Sequence, residues 1–159
     1  MQTLPQVDAK RIGIYGGSYG GYLTALALAR DSKLFAAGVD IHGVHNWTAE
    51  RAAPLLENRY EKAPDVQRAL DLAWQSSPVA SISEWKSPVL LIHADDDRNV
   101  RFSQTTDLVR RLEKAGVQFE ELVIPDDTHH FFLHANMVKV NSATAAIFDR
   151  VFGMRGQSE

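Results

Sequence analysis

Apolar residues fall into two rhythms along the chain, and each change of rhythm marks an element. Arg11–Tyr15 alternates, with Ile12 and Ile14 on one side, in a run too short for a helix. From Tyr22 the residues are strong helix formers, Leu23 and Ala25 through Ala29, until Asp31-Ser32-Lys33 breaks the pattern. Phe35–Ile41 (FAAGVDI) reads as a second, buried strand. Thr48–Glu61 is a weak helical stretch interrupted by Pro54. Pro64–Gln75 is a better helix: Pro64 suits its first turn, and Val66, Ala69, Leu70, Ala73 and Trp74 share one face. Ser76–Pro88 is a connector. Val89–His93 (VLLIH) is continuously apolar, as expected of a strand covered on both faces. Ser103 is placed to cap a helix to Ala115, with Leu108 and Leu112 inward and Gly116 closing it. Gln118–Ile124 supplies a fourth strand and Ala135–Phe152 a last helix. Strands alternating with helices predict an α/β fold with about four parallel strands and right-handed crossovers.

Composition narrows the class. The 159 residues suit one domain over 1–159, with 153–159 as a flexible polar tail. An apolar content of 45% is ordinary for a globular protein. A formal charge of −3 offers no basic field, so neither nucleic acid nor an acidic membrane is an expected partner. Without cysteine there is no disulfide framework and no thiolate site. No apolar run reaches membrane-spanning length, and the first ten residues lack a signal-peptide core, so the expected location is cytoplasmic.

Candidate chemistry gathers in three loops. Gly16-Gly17-Ser18-Tyr19-Gly20 matches G-x-S-x-G between a predicted strand and a predicted helix, the context of a nucleophile elbow. Neighbours without a Cβ let the backbone turn tightly and project the serine, while the helix start aims N–H groups at a developing oxyanion. In a parallel sheet the reactive loops lie beyond the carboxyl ends of the strands. Asp95-Asp96-Asp97 follows the third strand there, and His129-His130 follows the fourth. A serine hydroxyl needs an imidazole to take its proton, and the imidazole needs a carboxylate to fix its tautomer. Spacing alone leaves the choice among the aspartates and between the histidines open. Asp95, Asp97 and Asn99 imitate the start of a calcium loop, but Val100 and Thr106 stand where Gly and Glu belong. His129, His130 and His134 lack the partners of a zinc motif, so no metal and no cofactor is expected. His42 and His45 read as packing or pocket residues, and Trp74 and Trp85 as core or interface.

Three segments also carry a resemblance. GGSYGGY, PVLLIHADDDRNV and PDDTHHF, in this order, resemble the serine, aspartate and histidine segments of the prolyl oligopeptidase family, over roughly Val7 to Phe152. The resemblance implies the C-terminal part of an α/β-hydrolase catalytic domain, a partial fold without its earlier strands or a β-propeller. It selects Asp97 and His129 as partners of Ser18. It gives Tyr19 an oxyanion N–H and a ring against substrate. Val44, Trp47 and Val100 match positions lining the P1 pocket, and Asn99 one that meets a substrate carbonyl. The implied activity is a serine hydrolase cleaving peptide or acyl-amino-acid bonds. A small-ester carboxylesterase is the nearer alternative, and a non-catalytic assembly unit the more distant one. The upstream loop that supplies a second oxyanion donor in the family is not matched, and losing one such donor costs about 2.7–4 kcal/mol. With no earlier strand beside it, Arg11–Tyr15 becomes an open edge, which predicts a homo-oligomer, a two-fold dimer.

Overall fold

Val89–Ala94 (β3) is the strand against which the others are laid, and all six of its residues are buried. The computed structural model describes residues 4–50 and 65–153. In it β3 pairs in parallel with Ala37–Ile41 (β2) on one side and Phe119–Ile124 (β4) on the other. Gly13–Gly17 (β1) pairs in parallel with the far side of β2, giving the order β1-β2-β3-β4. The register aligns Gly17 with Ile41, Ile41 with Ile92, and Ile92 with Leu122. All four strands therefore end together, and the loops after them open at one edge of the sheet.

The helices divide between the two faces. Right-handed crossovers in a sequential order bring successive connections to the same face. Tyr19–Asp31 (α1), the 3₁₀ segment Pro78–Glu84 and Ser103–Ala115 (α3) share a core there, through Ala25, Leu28, Val79, Trp85, Leu108 and Leu112. His134–Phe152 (α4) covers the opposite face through Val140 and Ile147. β3 feeds both, sending Val89 and Leu91 to the first core and Leu90, Ile92 and Ala94 to the second, as the two-residue period requires. Each fully buried Leu or Ile contributes about 1.5–3 kcal/mol. Trp85 is fully buried in the first core and donates its indole N–H to Ser87 O at 2.9 Å. Val66–Gln75 (α2) has no fully buried residue and lies at the periphery.

Several expectations shift. α1 begins at Tyr19, three residues before the helix formers, because the serine turn runs straight into it. Ser103 does not cap α3. Phe102 is the N-cap with helical φ and ψ, and the backbone bonds Gln104 N to Arg101 O and Thr105 N to Phe102 O carry the chain into the helix already turning. Gly116 does close α3, at φ 69°. Trp74 is 41% exposed and takes Arg111 over its ring at 5.8 Å, so of the two tryptophans only Trp85 is core. The stretch Thr48–Glu61 and Pro64 fall mostly outside the described residues, although residues 47–50 are helical. The tail beyond Gly153 lies outside them as well. No helix among the described residues is long and apolar enough to cross a membrane.

Candidate active site

Ser18 sits at the end of β1 with φ 58° and ψ −117°, a conformation that non-glycine residues rarely hold and that costs on the order of 1–3 kcal/mol. Two backbone bonds pin it: its N–H donates to Ile41 O at 2.9 Å, and its C=O accepts from Tyr22 N at 3.0 Å. Gly16 is required by close approach, since a Cβ there would stand 2.6 Å from the Gly20 carbonyl carbon. Ser18 makes no side-chain cap to α1, which leaves its Oγ for other partners. Tyr19, the first residue of α1, presents one of the N–H groups that a helix start leaves without an intrahelical partner.

The structure brings Ser18, His129 and Asp97 together from three loops. His129 Nε2 lies 2.9 Å from Ser18 Oγ, and His129 Nδ1 lies 2.6 Å from Asp97 Oδ2. His130 is exposed and outside this chain of contacts. Asp97 Oδ1 accepts from the N–H groups of Asn99 at 2.8 Å and Val100 at 2.9 Å, a turn that fixes the carboxylate. Burial pushes the Asp97 carboxyl up, but hydrogen bonds from His129, Val100 and Asn99 outweigh it and hold the group below the usual carboxylate range. The histidine loop is anchored by Asp127, which accepts from Asn136 Nδ2 at 2.7 Å and from the N–H groups of Thr128 and Phe132. Those bonds, the Asn136 amide first, lower the Asp127 pKa. Asp95 joins the acid and histidine loops by accepting from Asp126 N at 2.9 Å.

Three further histidines surround this chain, and their roles were not legible from spacing. His93 bridges Val100 O (3.0 Å) and Thr105 Oγ1 (2.7 Å), with Asp97 Oδ2 at 3.2 Å from its Nε2. Burial lowers its pKa, so it is a neutral strut under the acid loop. His45 donates Nδ1–H to Gln104 O (3.0 Å) and faces Asp40 Oδ2 at 2.6 Å with Nε2. Burial depresses the His45 pKa, yet the Asp40 charge and hydrogen bond raise it overall. Asp40 Oδ1 in turn accepts from Gly43 N, and Gln104 Oε1 accepts from the N–H groups of His45 and Asn46. An aspartate inside the apolar run FAAGVDI was the available signal, since a buried carboxylate needs a partner. His42 lies with its ring centroid 4.1 Å from that of His129, and burial depresses its pKa to about 3.

The residues expected to meet substrate are distributed unevenly. Tyr19 and Trp47 border an open cleft of about 460 Å³, together with Tyr22, Ala69, Leu72, Ala73 and Ser76. Tyr22 packs between them, 5.2 Å from the Tyr19 ring and 5.3 Å from that of Trp47, and donates its hydroxyl to Ser76 O. The wall contributed by Tyr22 and α2 was not anticipated. Val44 and Val100 are packed, 7% and 6% exposed, and are not among the residues lining that cleft. Asn99 is exposed beside the acid turn.

A parallel sheet whose strand ends converge on a strained strand-to-helix serine, an imidazole and a carboxylate is the architecture of the α/β-hydrolase class. Solved structures agree. The acylaminoacyl peptidase of Pyrococcus horikoshii superposes with a TM-score of 0.78 and 25% identity, over 98% of this chain and 26% of that one. Dipeptidyl peptidase 4 of Porphyromonas gingivalis superposes with 0.76 and 25%, over 92% and 20%. Dipeptidyl peptidase 4 of Felis catus is 36% identical over 124 residues, which is 77% of this chain and 16% of that protein. The model of the prolyl oligopeptidase family, peptidase S9, matches residues 1–155, and the chain belongs to that family. It corresponds to part of the relatives' α/β-hydrolase domain and to a small share of their length.

Proposed function

We propose that the chain carries out acyl transfer to water through Ser18, on peptide or acyl-amino-acid substrates. The observation that carries this reading is the unbroken pair of contacts from Ser18 Oγ to His129 and from His129 to Asp97. Ser18 Oγ attacks the acyl carbon while its proton passes to His129 Nε2. The tetrahedral intermediate places its oxyanion at the start of α1, against the Tyr19 N–H. Collapse breaks the bond to the leaving amine or alcohol, which takes the proton from Nε2. Water then repeats the sequence on the acyl-enzyme, and Asp97 stays ionised throughout, holding the His129 tautomer. Tyr19 and Trp47 bound the acyl side chain. Activated esters need less help to leave, so they are hydrolysed faster than matched amides.

A fluorophosphonate probe tests the reading directly. Ser18 should be labelled in the folded protein, and Ser18→Ala should lose both label and turnover of a p-nitrophenyl ester. His129→Ala should abolish turnover, whereas His130→Ala should keep at least about a tenth of it. Absence of the adduct, or full activity in Ser18→Ala, would overturn the proposal and leave an assembly role in its place. The ratio of kcat/KM on matched ester and amide substrates separates an esterase from a peptidase.

A further inference from the structure

His42 has no task in acyl transfer, yet it is held at considerable cost. It is 7% exposed, its Nδ1 is buried without a hydrogen-bond partner, and its backbone sits at φ 44°, where histidine is uncommon. Its ring lies against that of His129 at a centroid distance of 4.1 Å. One ligand atom from each of His42, Asp97 and His129 lies within 4.8 Å of the other two, which among the described residues is the one such group. Two imidazoles and a carboxylate, with a fourth position left for water, form the donor set of a tetrahedral divalent zinc-like ion. Calcium and magnesium require six or more oxygens and do not fit it. At zinc–nitrogen distances of about 2.0–2.1 Å, tetrahedral ligand atoms stand roughly 3.3 Å apart. Small rotations of the His42 and His129 side chains, with the Asp97–His129 contact opening, would supply that spacing.

We infer that His42, Asp97 and His129 form a binding site for a borderline divalent transition-metal ion such as Zn²⁺, and that its occupancy switches the active site off. The binding stands on this cluster alone, while the inhibition rests on the acyl-transfer reading above. Proton bookkeeping explains the inhibition. A neutral imidazole carries one N–H, and in the working tautomer His129 holds it on Nδ1, so that the Nε2 lone pair faces Ser18. Coordination through Nδ1 moves that proton to Nε2, which then has no lone pair to accept the serine proton. Coordination through Nε2 occupies the lone pair outright. Only coordinate bonds form, no oxidation state changes, and a chelator reverses the effect.

The test uses Co²⁺ as the probe and its visible absorption in tetrahedral coordination as a readout independent of activity. The full chain is compared with Ser18→Ala, His42→Ala and His42→Asn. Asparagine tolerates the positive φ at residue 42, so it guards against loss of fold, which circular dichroism checks. Wild type and Ser18→Ala should show the band, and both His42 variants should lack it. In parallel, Zn²⁺ should inhibit ester hydrolysis by wild type reversibly with EDTA. The half-inhibitory concentration, normalised to each variant's own metal-free rate, should rise at least about tenfold in His42→Asn. No band in wild type, or an undiminished band and equal inhibition in a folded His42→Asn, would overturn the inference. A band that depends on His42 in a protein that, stripped of metal by EDTA, takes no fluorophosphonate would uphold the site and overturn the hydrolase reading.

Discussion

His45 illustrates how one residue's protonation is dictated by its neighbours. The Gln104 carbonyl can only accept, so Nδ1 must carry a proton. A proton on Nε2 as well, facing Asp40 at 2.6 Å, makes the ring a buried cation. Asp40 on β2 and Asp107 on α3 supply the negative field. Because the folded pKa is raised above the ordinary value near 6.5, the folded state holds more protons than the unfolded one at pH values between the two. The pair's contribution is therefore complete below about pH 6.5 and is lost as pH rises through the folded pKa. Urea unfolding from pH 6 to pH 9 should show this decline. Asp40→Ala leaves the cation buried without a partner and should cost about 3–5 kcal/mol. Asp40→Asn should flatten the pH dependence, since an amide donates to the Nε2 of a neutral ring.

At the scale of the element, the start of α1 shows that adjacent glycines answer to different constraints. A Cβ on Gly21 would meet Asp40 Oδ1 at 2.5 Å and Ile41 O at 2.7 Å, whereas one on Gly20 would meet nothing within 4 Å. Gly21 lets α1 lie directly on the end of β2, over the Asp40 carboxylate. Gly21→Ala should destabilise the protein by about 1–3 kcal/mol through overpacking. Gly20→Ala should stabilise it by about 0.5–1 kcal/mol, because it replaces a glycine inside a helix. Thermal unfolding of the two variants distinguishes them, and equal effects would show that the approach of α1 to β2 is slack.

For the whole molecule, the telling feature is an asymmetric sheet. Among the described residues β1 pairs only with β2, and its Tyr15, edge-on to Phe148 at 6.5 Å, is 66% exposed. It has none of the usual edge protections, neither proline nor an inward charge. On the adjoining α1 surface Leu23 is 48% exposed. We propose that a second copy joins along this edge by a two-fold axis, pairing the β1 backbone groups that have no partner among the described residues and covering the apolar surface. Light scattering on a gel-filtration peak should therefore report a dimer. A folded monomer at tens of micromolar would refute this.

Much of this protein was written in local pattern. The unbroken apolar run Val89–Ala94, the strand-turn-helix around Ser18 and the left-handed stop at Gly116 depend on nearby residues alone, so periodicity and glycine chemistry sufficed to find them. The order of serine, acid and histidine loops likewise follows from a parallel sheet, whose strand ends must lie together. What tertiary structure decided was pairing. Nothing local separates His129 from His130, but only one reaches both Ser18 and Asp97, because Asp127 and Asn136 set the loop that carries them. The Asp40–His45 pair, the His93 strut and the tilted contact of the His42 ring with that of His129 each join residues from different segments, at distances that burial makes decisive. The missed cap at Ser103 has the same origin, since Phe102 and Arg101 were already turning before the helix began. Sequence specifies which groups must be buried and which turns are possible; the packed sheet determines which of those groups meet, because hydrogen bonds and charges act only over the few ångströms that folding creates.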